Sequence, residues 1–252
     1  LVADPPVGFP NGDLGQFQGH RLPGFNFHDQ PGQISFVDQE EYRSAPASIR
    51  FESMAIYSPQ HGHARIMAQL PEQPRRQYRF SAWVRTQDLE PAPFLLQVYI
   101  GDRAISSVKP TLAATQGWTQ VTCTFNSLDA TEVRLYAGLW GGKAGRLWLD
   151  DLTLEEVGLR GVVRRPGAPV TVTNDQGTIT YVEGQDYART ADPNLQRFSA
   201  TTPAPDIAIL PQSRLRDGDR LRVSFYHAVT IGSGQTSLCM SEPELYEYWA
   251  EQ

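Results

Sequence analysis

Several stretches of this chain alternate strictly between apolar and polar residues, and that period of two constrains the fold more than any other feature. In "QYRFSAWVR", Tyr78, Phe80, Ala82 and Val84 point one way, while Arg79, Ser81, Trp83 and Arg85 point the other. In "FLLQVYI", Phe94, Leu96, Val98 and Ile100 oppose Leu95, Gln97 and Tyr99. In "TQVTCTF", Val121, Cys123 and Phe125 oppose Gln120, Thr122 and Thr124. In "VRLYAGLW", Val133, Leu135, Ala137 and Leu139 oppose Arg134, Tyr136, Gly138 and Trp140. With "ASIRFES", "ARIMAQL" and "GRLWLDDLTLEE", and with turn material such as "PEQPRR" and "KAG" between them, these segments predict short strands spaced as in a sandwich or jelly roll.

After Glu156 the character shifts. "VGLRGVVRRPGAPV" is rich in Gly and Pro and reads as a boundary. A second β-set follows in "PVTVTN", "TITYVEG", "IAILP" and "DRLRVSFYHAVTI", with turns at "NDQG" and "RDGD" and a long Pro-rich loop over 187–206. The last stretch, "SLCMSEPELYEYWAEQ", reads as a buried strand, a turn at Ser241-Glu242-Pro243 and a helix with Leu245, Tyr248 and Trp249 on one stripe. The expectation is an all-β chain: a jelly-roll β-sandwich over 1–157, a small β-sandwich spacer over 158–236, and a first βα step over 237–252.

A formal charge of −6 argues against a nucleic-acid partner, which needs a basic stripe. No apolar run approaches the roughly 18 residues that span a membrane, so no membrane partner is expected. Cys123 and Cys239 both sit in apolar runs and read as free buried thiols, with a disulfide between them as the second reading. His61 and His63 lack further ligands at zinc spacing. Neither a Gly-x-Ser-x-Gly elbow nor a phosphate-binding Gly-rich loop is present, and no catalytic residue is assigned. In "TYVEGQDY", Tyr181, Glu183, Asp186 and Tyr187 read as turn and packing residues.

The second faces of the alternating strands combine Trp and Tyr with Gln and Arg, which is unusual for a solvated surface. Pyranose rings pack C–H patches on aromatic faces, and their hydroxyls suit planar multivalent groups such as Gln and Arg. The same aromatics would equally serve as packing under a loop or against the second domain.

The run "GWTQVTCTF…TEVRLYAGLWGGKAGRLWLDDLTLEE", preceded by "QYRFSAWVR" and an early "NGDLG", resembles jelly-roll carbohydrate-binding modules of families 4, 9 and 22, within the wider galactose-binding-like superfamily. The resemblance covers roughly residues 9–157. It implies a sugar lying across a concave sheet that holds Trp83, Arg85, Gln97, Tyr99, Arg134 and Tyr136, with Trp140 closing one end. It also implies a structural Ca2+ joining the first segment to the last strand through Asn11, Asp13 and Asp151, with Asp150 as neighbour. Leu14-Gly15 stand where the family carries its usual Glu. The closing segment loosely resembles the start of a glycoside-hydrolase-like (β/α) barrel, which would set Ser241 and Glu242 at the end of a first barrel strand.

The function implied is non-catalytic binding of a polysaccharide or oligosaccharide by an extracellular or periplasmic accessory portion of a larger glycoside hydrolase. The attached catalytic domain would be its partner. Two alternatives stay open: a scaffold whose β-domains pack on a catalytic barrel, and a protein-binding adhesion module.

Overall fold

The computed structural model describes residues 8–56, 63–159, 161–190 and 206–227. Its strands in chain order are β1 (Asn26–Phe27), β2 (Ser35–Asp38), β3 (Ser48–Phe51), β4 (His63–Pro71), β5 (Gln77–Gln87), β6 (Phe94–Ile100), β7 (Arg103–Val108), β8 (Gln116–Asn126), β9 (Glu132–Trp140) and β10 (Arg146–Glu156). Three more follow: β11 (Thr171–Asn174), β12 (Thr180–Tyr181) and β13 (Leu221–Ser224). The strand-turn-helix expected over 237–252, together with Cys239 and His61, lies outside the described residues.

The first ten strands make two five-stranded sheets, ordered β1-β4-β9-β6-β7 and β2-β3-β10-β5-β8. Every pairing within them is antiparallel. Consecutive strands cross repeatedly from one sheet to the other, so the alternation in each strand supplies one core wall. Ile66, Phe94, Leu96, Leu135 and Leu139 from the first sheet belong to one hydrophobic cluster with Ile49, Phe51, Phe80, Val84 and Leu149 from the second. All ten side chains are essentially inaccessible. Phe9 extends this cluster, stacking on Phe25 at 5.8 Å and on Phe80 at 5.9 Å.

Cys123, from the inward row of β8, is a free thiol 3.3 Å from the Ser106 hydroxyl, and burial pushes it up to about 11. The early Asn-Gly-Asp segment is joined to β10 by backbone. The Leu152 amide donates to the Gly12 carbonyl at 2.8 Å, and a Cβ on Gly12 would lie 2.1 Å from the Leu152 carbonyl oxygen.

Glu72, just past β4, is only 7% exposed. Burial pushes its carboxyl from 4.5 up to about 7, with the Tyr78 hydroxyl pulling the other way and Glu156 adding to the rise. The folded chain therefore holds this proton more tightly than the unfolded chain. The resulting stability is fully present below pH 4.5 and is lost as pH rises through about 7. Glu72→Gln should raise the unfolding free energy by about 1–3 kcal/mol at pH 8, with little change at pH 4, since each tenfold change in proton affinity is worth about 1.4 kcal/mol. Urea titrations at the two pH values measure this; an equal effect at both would contradict it.

Past Leu159, the described residues present one three-stranded antiparallel sheet, ordered β12-β11-β13. It carries its own core of Leu159, Val162, Val170, Val172, Tyr181, Tyr187 and Leu215. "IAILP" forms no strand there; Ile209 contributes only a single bridge to Tyr187. Asp186 organises the local turns. It accepts the Val182 and Arg214 amides at 2.8 and 3.0 Å and the Arg214 guanidinium at 3.1 and 2.6 Å. The Arg214 bonds hold its carboxyl well below the usual carboxylate range. Glu183 pairs with Arg164, so the two carboxylates of "TYVEGQDY" are both engaged within this unit.

Candidate ligand-binding face

Alternation fixes which side of a strand faces out, and the register fixes what stands beside it. Across the first sheet, Asn26, Met67, Tyr136, Gln97 and Ser107 form one outward row. Gln69, Arg134 and Tyr99 form the next row on one side. Arg65, Gly138 and Leu95 form the row on the other side, followed by His63 and Trp140. Tyr99, Tyr136 and Trp140 thus make an aromatic ridge, with ring centroids 5.2 Å and 6.5 Å apart. All three rings are partly exposed.

Gly138 interrupts this ridge. With φ +142 and no side chain, it lets β4 approach so closely that a Cβ would lie 2.3 Å from the Ala64 carbonyl oxygen and 2.5 Å from Arg65 Cα. The Arg65 side chain occupies the gap. Its guanidinium lies 4.4 Å from the Trp140 ring centre and 5.9 Å from that of Tyr136. Arg65 Nε donates to His28 Nδ1 at 3.1 Å, and the His28 ring meets Tyr136 edge-on at 5.4 Å. Burial, then Arg65, His63 and Arg134, hold the His28 imidazole below its ordinary value of 6.5. A neutral ring with Nδ1 bare is the tautomer that accepts the Arg65 bond. At the far end, Arg134 lies 5.9 Å from the Tyr99 ring and bonds the Gly101 carbonyl and the Asp102 carboxylate. Gln97 Oε1 is shielded and has no hydrogen-bond partner.

Five of the residues expected on one sugar face therefore come together: Gln97, Tyr99, Arg134, Tyr136 and Trp140. Trp83 and Arg85 do not join them. They belong to β5 in the other sheet, on the opposite outer side of the sandwich. There the Arg43 guanidinium lies 3.9 Å over the Trp83 ring, and Arg85 pairs with Glu41 and lies 5.3 Å from the Trp148 ring. The loop after β2 covers this side. Asp150 accepts the Arg43 and Ser44 amides at 2.7 and 3.0 Å, and the Trp148 indole donates to Asp38 at 2.9 Å. Trp148 and Asp150 are buried at 3% and 0% exposure. The concave single face expected from the sequence is corrected on this point: its seven residues divide between two sheets, and the Trp83 side packs under a loop.

Arg65, His28 and Gly138 complete the ridge, and the sequence pattern alone does not single them out. Arg65 is legible in principle, since it lies on the outward row of "ARIMAQL" with Met67 and Gln69. His28 sits beyond β1, where no periodicity reaches.

Asn11, Asp13 and Asp151 do not fit a calcium site as placed. Asn11 Oδ1 accepts the Gln16 amide at 2.8 Å, while its Nδ2 donates to the Gln16 and Pro23 carbonyls. Asp13 accepts the Gly15 amide at 3.2 Å. Asp151 is engaged by the Arg43 guanidinium and the Ser44 hydroxyl. A guanidinium inside a calcium shell would repel the ion, and calcium wants six or more oxygens. Among the described residues, no group of three or more His, Cys, Asp or Glu side chains stands where it could hold a metal. No helix among them is long and apolar enough to cross a membrane.

No family model and no curated protein matches the chain. Solved structures similar to it include carbohydrate-binding modules. TmCBM61, solved in complex with beta-1,4-galactotriose, is similar at 13% identity and a TM-score of 0.42, over 59% of this chain and 94% of that one. The CBM22-1 xylan-binding domain from Paenibacillus barcinonensis Xyn10C is similar at 12% identity and a TM-score of 0.37, over 55% of this chain and 88% of that one. The K1 cleaved adhesin domain of Lys-gingipain from Porphyromonas gingivalis is similar at 14% identity and a TM-score of 0.38, over 56% of this chain and 97% of that one.

Proposed function

We propose that the outer face of the first sheet binds carbohydrate without transforming it. The observation that carries this reading is the Tyr99–Tyr136–Trp140 ridge with Arg65, Gln97 and Arg134 set among its rings. An aromatic ridge offers flat apolar area for the C–H side of a pyranose. The interleaved amide and guanidinium groups offer hydrogen bonds to the hydroxyls. Because the rings are already packed edge to face, binding needs little reordering.

The accessory role beside a glycoside-hydrolase catalytic domain, and a place outside the cytoplasm, extend this reading. They rest on the sequence resemblances alone. Tethering to a polymer would raise the local concentration of an attached enzyme.

Affinity electrophoresis through gels containing neutral or acidic polysaccharides tests the binding reading. Tyr136→Ala and Trp140→Ala should each reduce retention by roughly tenfold or more, since ring stacking of the kind measured for nucleic-acid bases is worth about 1–3 kcal/mol, with melting nearly unchanged. Trp83→Ala should leave retention intact and lower the melting temperature. Retention that survives both ridge variants, or that Trp83→Ala alone abolishes, would overturn the assignment.

A further inference from the structure

The ridge carries guanidinium groups among its rings, in a chain whose formal charge is −6. Arg65 and Arg134 stand on it, and His28 and His63 lie within electrostatic reach. Among the described residues, the register places Glu132 at the start of β9 on the same face, and Asp102, in the turn after β6, bonds Arg134. Arg65 faces Gly138, four residues along β9 from Arg134. At about 3.4 Å per residue, the two positions are roughly 14 Å apart, the reach of a short oligosaccharide lying along the ridge. Arg65 is oriented from several sides. Its stem fills the gap at Gly138, one side is flanked by Trp140, and Nε is fixed by His28. An arginine oriented in this way presents a planar fork, whose geometry matches a carboxylate better than a tetrahedral sulfate.

We propose that this face takes a uronate-containing glycan, with the Arg65 guanidinium, oriented by His28, reading the sugar carboxylate beside the Tyr136 and Trp140 rings. The inference rests on the carbohydrate-binding reading above and narrows its ligand to acidic chains. Binding is strongest to polymers that carry carboxylates at sugar spacing, and it weakens as salt rises because part of the attraction is between exposed charges. His28 acts as a positioning residue, since it touches Arg65 rather than the sugar.

The test is affinity electrophoresis of the full chain in polygalacturonate, alginate, neutral galactan, neutral xylan and dextran sulfate. Polygalacturonate or alginate should retain the protein more strongly than the neutral polymers and dextran sulfate. Arg65→Gln should weaken that retention roughly tenfold, the scale of one lost charge-assisted contact. Arg65→Lys should recover part of it, and melting curves should show both variants folded. Neutral retention that Tyr136→Ala abolishes but Arg65→Gln leaves alone would overturn this inference while supporting carbohydrate binding. Equal loss on neutral and acidic polymers would overturn it too, since Arg65 would then only hold the rings in place. Retention by dextran sulfate equal to that by the uronates would overturn it by reducing the effect to net charge. No retention by any polymer would overturn both readings.

Discussion

Gly138→Ala should lower the stability of the sandwich by about 2–5 kcal/mol. Two costs add. The added Cβ would meet the Ala64 carbonyl oxygen at 2.3 Å and Arg65 Cα at 2.5 Å, and both are backbone atoms of the neighbouring strand. No rotamer change can relieve that contact, so β4 and β9 must separate, and overpacking of this kind costs about 1–3 kcal/mol. In addition, φ +142 is disfavoured for a residue with a side chain, at a further ~1–2 kcal/mol. Thermal unfolding should show a drop of about 10 °C, at about 2–4 °C per kcal/mol for a domain of this size. A drop of under 2 °C would mean that the two strands yield freely. The same variant should displace Arg65 from between Tyr136 and Trp140, linking loss of stability to loss of the ridge.

Asp150→Ala should cost about 3 kcal/mol through a different mechanism. The Asp150 carboxylate is fully buried and accepts three backbone amides, those of Arg43, Ser44 and Asp151 at 2.7, 3.0 and 2.7 Å. Alanine strands those donors under the loop; a hydrogen bond to a charged partner is worth about 1.5–3 kcal/mol net, and water recovers part of the set where the loop is exposed. Asp150→Asn keeps one acceptor oxygen and should recover part of the loss. Denaturant unfolding followed by tryptophan fluorescence would report it directly, because Trp83 lies under Arg43, a residue this carboxylate holds. Wild-type stability in Asp150→Ala would remove the loop from the account of the second sheet.

The alternation of β5, β6, β8 and β9 makes the core face legible in the sequence itself. Tyr78, Phe80, Val84, Phe94, Leu96, Val98, Leu135 and Leu139 are all buried as their parity requires. Alternation does not say which sheet a strand joins. β5 and β9 both put Trp, Tyr or Arg on their second face, yet one pairs with β10 and β8 and the other with β4 and β6. That is why the pattern sets Trp83 and Arg85 beside Tyr136 when the fold does not. Sheet membership is decided by pairing between segments far apart in sequence, which no local pattern carries. β7 escapes detection for a simpler reason: "RAISSV" is small and polar, with a single buried side chain, Ser106. The short β1 and β2 lie in loop-like sequence where two to four residues are too few to display a period. The calcium expectation meets competition. Asn11 and Asp151 carry oxygens of the right kind, but nearer donors on Gln16, Arg43 and Ser44 already occupy them.

The loop over the second sheet has a consequence for how this molecule can change. Trp83 and Asp150 are tied together through Arg43, and Trp148 is tied through Asp38 to Arg50, so each of these groups depends on a partner. Substitutions there cost stability before they alter anything else. The ridge on the opposite side carries no such obligation except at Gly138, since its rings and guanidinium groups stand on strands whose core faces are anchored independently. A lineage of such chains could therefore exchange one ligand for another by drifting on one side alone, with the covered side acting as a fixed keel.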